Sequence, residues 1–213
     1  MNRAAAFDVV TLGTLRAAVG IPFIYYGMQA VGAAFFPGYS FVRDVASLLG
    51  SDRAGHAVIF NAGIMTLGVL TLAASGAFVR AMLCAGTRPV LAALTGAVLA
   101  VGGVQSLWAG WFPMPDPRHG GHPVFMVAML LLPLLIGASL WRRAGRGLRV
   151  YLVANLVLLA AMVPIMSGLI ATDRAAYAGL FQRVFTLAIF PPIGVAGWVL
   201  AGWWRGGRAS ERV

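Results

Sequence analysis

The 213-residue sequence has no lysine, one cysteine and only six acidic residues, with Glu211 the sole glutamate. Without a lysine amine, Schiff-base chemistry with retinal or pyridoxal and a Walker-type phosphate lysine are excluded. Cys84 alone cannot form an intrachain disulfide, and it is too few for cysteine-rich zinc or iron–sulfur sites. Charged residues make up 10% of the chain, far below the roughly one quarter that covers a soluble surface. What stands in their place is apolar: 60% of residues are hydrophobic and the mean hydropathy is +0.85. The composition is that of a membrane chain, so its net charge of +10 is read against topology before any nucleic-acid footprint.

Apolar runs near the ~20 residues that cross a bilayer recur six times. They cover Thr11 to Phe35, Ala57 to Val79, Val90 to Trp111, Val124 to Leu140, Tyr151 to Ala171 and Val184 to Trp203. Runs this long and continuous predict helices, since barrel strands alternate in hydrophobicity. The fold class is therefore all-α, a polytopic six-helix membrane bundle forming one integral domain over residues 1–213. No cleavable leader is expected, because the chain runs from Met1 directly into a span too long for a signal-peptide core.

Arginine placement predicts the orientation, because positive charge resists translocation. With the N-terminus cytoplasmic, the inner side carries Arg3, Arg16, Arg80, Arg88, Arg142, Arg143, Arg146, Arg149, Arg205, Arg208 and Arg212 against Asp8 and Glu211. The outer side carries Arg43, Arg53, Arg118, Arg174 and Arg183 against Asp44, Asp52, Asp116 and Asp173. Most of the excess charge then marks the cytoplasmic face, with both termini on it. Trp108 and Trp111 fall at one interface, and Trp141, Trp203 and Trp204 at the other.

Polar residues within the spans collect toward the outer side: Gln29, Asn61, Gln105 and Ser106. Two readings are open: they bridge helices, or they wall a pocket open to that face. In the first outer loop, Phe41, Val42, Val45, Leu48 and Leu49 recur at helical spacing opposite Arg43, Ser47 and Gly50. This predicts a short amphipathic helix capped by Ser40 and stopped by Gly50, serving as an interfacial seal or as a gate. In the second, Asp116, His119 and His122 stand three residues apart. That set contains metal-ligand types, but its glycines and prolines predict a loop without the preorganisation of a helical metal motif. A structural or proton-handling histidine and a plain solvated loop are the other readings. The third brings Gln182 and Arg183 to the entrance of the last span, where arginine suits a phosphate, a carboxylate or a structural pair with Asp173 or Asp116.

Three ordered motifs carry a family resemblance. They are Pro37-Gly38-Tyr39-Ser40 through Arg43-Asp44 to Ser47, Leu49 and Gly50, the Phe112-Pro113 to Asp116 to His122 run, and Gly179-Leu180-Phe181-Gln182-Arg183. Together they resemble domain of unknown function 998, a family of prokaryotic integral membrane proteins with about six spans. The resemblance implies that Arg43, Asp44, Ser47, Asp116, His122, Gln182 and Arg183 are the family's polar positions, all on the outer face of a cytoplasmic (inner) membrane. The second motif departs from the family's Phe-Pro-x-Asp by a one-residue shift, since both Met114 and Pro115 intervene before Asp116.

Three functions are then compatible with the chain. The first is non-enzymatic binding of a lipid or small amphiphile in an outward pocket, walled by Gln29, Asn61 and Gln105 and rimmed by Arg43, Asp44, Ser47, His122, Gln182 and Arg183. The second is a membrane enzyme using His122 with Asp116 or Asp44 as an acid–base pair on a lipid or isoprenoid-like substrate. The third is a small transporter, which requires a polar route through the inner half as well. No cofactor is implied, and the expected partners are membrane lipids rather than nucleic acid.

Overall fold

In a computed structural model the backbone is described over residues 3–210 and the side chains over 7–206. Arg3, Arg208, Glu211 and Arg212, which enter the charge asymmetry above, lie outside the described side chains. The described residues form eight α-helices and no strand: α1 (Arg3–Ala18), α2 (Ile21–Ala34), α3 (Ala57–Cys84), α4 (Pro89–Trp111), α5 (Pro123–Leu140), α6 (Arg146–Ser167), α7 (Arg174–Leu187) and α8 (Phe190–Ser210). Helices α3, α4, α5 and α6 and the continuous stretch Arg174–Gly206 are each long and apolar enough to cross a membrane, and α1 with α2 makes a sixth crossing if the bent pair counts as one.

That pair is bent by 42°. Pro22 has no N–H to bond the Ala18 carbonyl, so the chain tightens instead, with Val19 N to Arg16 O at 3.1 Å and Gly20 N to Ala17 O at 2.9 Å. Proline also explains the break between α7 and α8. Pro191 and Pro192 occupy the first turn of α8, where their missing N–H groups go unneeded, and α7 closes with three-residue bonds from Ala188 to Phe185 and Ile189 to Thr186. The sixth crossing therefore starts ten residues ahead of the expected Val184, at Arg174, where the Asp173 carboxylate accepts from Ala176 N at 3.0 Å. At the other margin, α6 stops at Ser167 rather than continuing to Ala171, because Gly168 turns left-handed at φ 82°.

The tightest packing is between α3 and α4. Gly96, Gly103 and Gly110 recur every seven residues on α4 and let the backbones approach: a Cβ on Gly103 would stand 2.9 Å from Leu72 N and 3.0 Å from Gly68 O. Helix α8 sits centrally, touching α1, α2, α3, α5 and α7, whereas α6 packs on α5 and α7 at the periphery. The buried core runs through Leu15, Ile21, Leu67, Phe78, Leu99, Ile136, Ile193 and Leu200.

The expected amphipathic helix over Phe41 to Leu49 is not formed. Residues 41–44 make a turn, Val45 is extended at ψ 150°, and only Ala46–Gly50 is helical, as a short 3-10 segment. The reason is competition for carbonyls. An α-helix would send the Phe41, Val42, Arg43 and Asp44 carbonyls to residues 45–48, but α7 takes all four. Arg183 donates to Phe41 O at 2.7 Å and Asp44 O at 2.9 Å, Leu180 N to Val42 O at 2.9 Å, and Gly179 N to Arg43 O at 3.2 Å.

Candidate functional site

The loops between α2 and α3, between α4 and α5, and between α6 and α7 gather at one end of the bundle, here called the loop-rich end. The turns 85–88 and 141–145 form the opposite, arginine-rich end. At the loop-rich end the first loop and α7 are tied into a knot. Arg183 lies at its centre, donating to Phe41 O, Asp44 O, Gly179 O and the Tyr39 hydroxyl, with its guanidinium carbon 4.9 Å from the Phe41 ring centroid. Gly179 is required at the crossing, since a Cβ there would collide with the Asp44 carbonyl. Gln182 Oε1 adds a bond from Ala46 N at 2.6 Å, which fixes the start of the 3-10 segment.

Beneath the knot lies a cavity of about 250 Å³. Its walls are mainly apolar, from Phe60, Ile64, Leu67, Val98, Leu132, Phe185 and Ile193, and reach between α3, α4, α5 and α8 toward mid-bundle. The methionines Met126, Met129 and Met166 line its α5 and α6 side. Polar groups cluster nearer the loops: Ser47, Gln105, Ser106, His119 and Gln182, with Thr71, Thr186 and Tyr25 deeper in. Gln105 Oε1 is buried and has no hydrogen-bond partner, an arrangement costing on the order of 1–3 kcal/mol unless something donates to it.

The structure distributes the sequence-predicted residues unevenly. Ser47, Gln105 and Gln182 line the cavity together. Gln29 is buried but outside it, donating to Tyr25 O at 2.9 Å along its own helix. Asn61 is also outside, donating to Gly50 O at 3.0 Å and so pinning the 3-10 segment to α3. Arg43 and Asp44 pair with each other at 2.9 Å on the outer surface of the knot, where Asp44 also accepts from Ser40 N at 2.8 Å. The turn brings these adjacent positions face to face, where a helix would have separated them.

In the second loop, Asp116 is engaged by Arg118 at 2.7 Å, His119 Nδ1 lies 2.8 Å from Phe112 O, and exposed His122 caps α5 by accepting from Val124 N at 3.2 Å. His122 has no hydrogen bond to Asp116 or Asp44, and among the described residues no three of His, Cys, Asp and Glu are grouped to hold a metal. The pairing of Arg183 with Asp173 or Asp116 is replaced by backbone carbonyls. Thr71, Thr186 and Tyr39 went unrecognised as site residues, and His119, weighed only as a metal-ligand type or a structural histidine, lines the cavity instead. Tyr39 stands inside a quoted motif, and its hydroxyl joins Arg183 to the Asp44 and Val45 carbonyls.

Charge at this end is locally neutralised. The Arg43 guanidinium, with the Ser40 amide, holds Asp44 below the ordinary carboxylate range. Arg118 does the same for Asp116, which is lowered to about 2. Burial pushes the Tyr39 phenol up against the opposing pull of Arg183, so it stays a neutral donor.

The family described as "Protein of unknown function (DUF998)" matches residues 18–199. No curated protein and no solved structure matches the chain.

Proposed function

Since the chain belongs to the DUF998 family, whose description names no activity, we propose from its own geometry that it binds a small single-chain amphiphile in the cavity below the knot. The apolar tail lies among α3, α4, α5 and α8, and the polar head meets Ser47, Gln105, His119 and Gln182. The supporting observation is that Gln105, whose buried side-chain carbonyl has no hydrogen-bond partner, lines a chamber with mainly apolar walls, which suits an occupant that brings a donor. Size narrows the class. About 250 Å³ falls just under the roughly 300–1,000 Å³ typical of drug-sized ligands, which suits one short chain better than a two-chain phospholipid. The arginine asymmetry supports a cytoplasmic-membrane setting with the loop-rich end outside and both termini inside.

Gly102 provides the test, because it lines the cavity and a Cβ there meets nothing within 4 Å. The wild-type protein, taken into nanodiscs and extracted for mass spectrometry, is expected to yield a stoichiometric amphiphile that Gly102→Leu loses while keeping its thermal stability. Equal recovery from both proteins, or none from the wild type, removes the proposal.

A further inference from the structure

We propose that the arginine-rich end carries a separate site, independent of the cavity reading, in which Arg88, Arg142 and Arg143 bind the phosphate of an anionic phospholipid. The turn after α3 and the turn after α5 face each other there across a hollow of about 460 Å³, walled by these arginines with Thr87, Ser139 and Trp203. Thr87 Oγ1 donates to Ser139 O at 3.3 Å, which holds the two turns at this spacing. Three arginines from two segments thus line one space.

None of the three has a carboxylate partner. The ion pairs among the described residues are Arg43–Asp44, Arg80–Asp8 and Arg118–Asp116, so the one described acid at this end, Asp8, serves Arg80. Cations gathered beside a low-dielectric bundle repel one another and favour an anion between them. The first turn of α4 adds to this, since Arg88 is its N-cap residue and no side chain satisfies its free N–H groups. Phosphate is the fitting anion, because planar guanidiniums bind two of its oxygens at once.

Adjacent geometry favours a lipid over a free phosphate. A second hollow of about 290 Å³ shares Arg143 and Trp203 with the first and continues between α6 and α8 along Leu148, Trp198 and Val199. Trp203 is shared by the two hollows, with the Arg143 guanidinium carbon 6.0 Å from its ring centroid, and the second hollow sets Leu148, Trp198 and Val199 beside Arg143 and Arg205. Trp141, Trp203 and Trp204 mark this level as the membrane interface, the depth of lipid headgroups. A headgroup in the first hollow would direct its acyl chain into the second. Positive-inside topology needs arginines at this end but does not need them to line one hollow: Arg146 and Arg149 belong to the same run and line neither hollow.

The test is native mass spectrometry of the full chain released from nanodiscs holding equal phosphatidylglycerol and phosphatidylcholine. The wild type is expected to retain phosphatidylglycerol, and Arg88→Gln/Arg143→Gln to lower that preference by roughly tenfold or more. Arg146→Gln/Arg149→Gln removes the same charge outside the hollows and is expected to keep it. Equal loss in both double variants means diffuse surface attraction and overturns the proposal, as does a wild type without preference. Saturation by inorganic phosphate with no lipid preference identifies a free anion and also overturns it. Should the first double variant fail to fold, brominated lipids replace it: brominated phosphatidylglycerol is expected to quench the wild type more than brominated phosphatidylcholine, with the excess gone in Trp203→Phe. Equal quenching counts against the site.

Discussion

The two ends of the bundle use arginine in opposite ways. At the loop-rich end four of the five guanidiniums, all but that of Arg53, are consumed internally: Arg43 and Arg118 by nearby carboxylates, Arg174 by the Ile165 and Met166 carbonyls, and Arg183 by three carbonyls and a phenol. At the arginine-rich end only Arg80 has an acid among the described residues, while Arg143 and Arg149 rest against tryptophan faces. The same side chain is a fold-closing brace where it meets backbone and an unneutralised cation where it does not. Charge counting alone cannot separate the two uses.

The contrast breaks most sharply at Arg183. Replacement by Gln removes the donor shared by Phe41 O, Asp44 O, Gly179 O and Tyr39, and is expected to cost about 3 kcal/mol of unfolding stability in detergent. Arg183→Lys keeps the charge but not the fork, so a variant as stable as the wild type would mean that charge and not geometry holds the knot. Next comes Gly179→Val. The atom in its way is the Asp44 carbonyl, backbone that yields less readily than a side chain, and the expected loss is about 2 kcal/mol, with faster proteolysis of the first loop. Unchanged proteolysis would detach α7 from the lock.

At the opposite end the expected effects are smaller. Arg80 bonds Asp8 at 3.3 Å and Thr11 at 3.1 Å, and its guanidinium carbon sits 5.4 Å from the Trp204 ring centroid. Both partners of the ion pair are part-exposed, so Asp8→Asn is expected to change stability by less than about 1 kcal/mol. A loss comparable to Arg183→Gln would show that this end is braced electrostatically too.

Hydropathy made the crossings legible because lipid leaves the backbone no alternative to helix. It misplaced their ends where a short-range device decides. Arg174 to Arg183 reads as a charged loop in a hydropathy window, yet Asp173 caps it and the knot absorbs its arginine. The first loop failed differently. Its periodicity over Phe41 to Leu49 is real, but periodicity says which face would be apolar and nothing about who claims the carbonyls. Since α7 lies more than 130 residues away in the chain, as in the bond from Ala46 N to Gln182 Oε1, no local pattern reports that claim. Polar residues within the spans were found through their cost in membrane, a rule that selects Gln29, bonded along its own helix, and Asn61, a brace from helix to loop, as readily as the cavity groups Gln105 and Ser106. The α4 glycines at seven-residue intervals were an available signal for close packing, readable as small residues on one stripe.

The gentlest probe of the comparison is pH. Asp116 is lowered to about 2, first by the hydrogen bond from Arg118, and Asp44 is lowered by Arg43. A carboxyl held below its unfolded value stabilises the folded state above the ordinary range near 4, and that contribution fades as pH falls toward the depressed value. Between pH 5 and 8 both carboxyls stay ionised, so on this linkage they add no pH dependence. In the folded protein the bond from Arg118 to Asp116 should weaken only as pH approaches about 2. Trp108 reports the event, because its Nε1 donates to Arg118 O at 2.8 Å and its ring lies against Phe112, over which Arg118 sits. The wild type should show a tryptophan fluorescence transition on acidification that is missing from Asp116→Asn. Superimposable titrations of the two proteins would mean that Arg118 is held by its aromatic neighbour and that the loop-rich end owes this contact to stacking instead of charge.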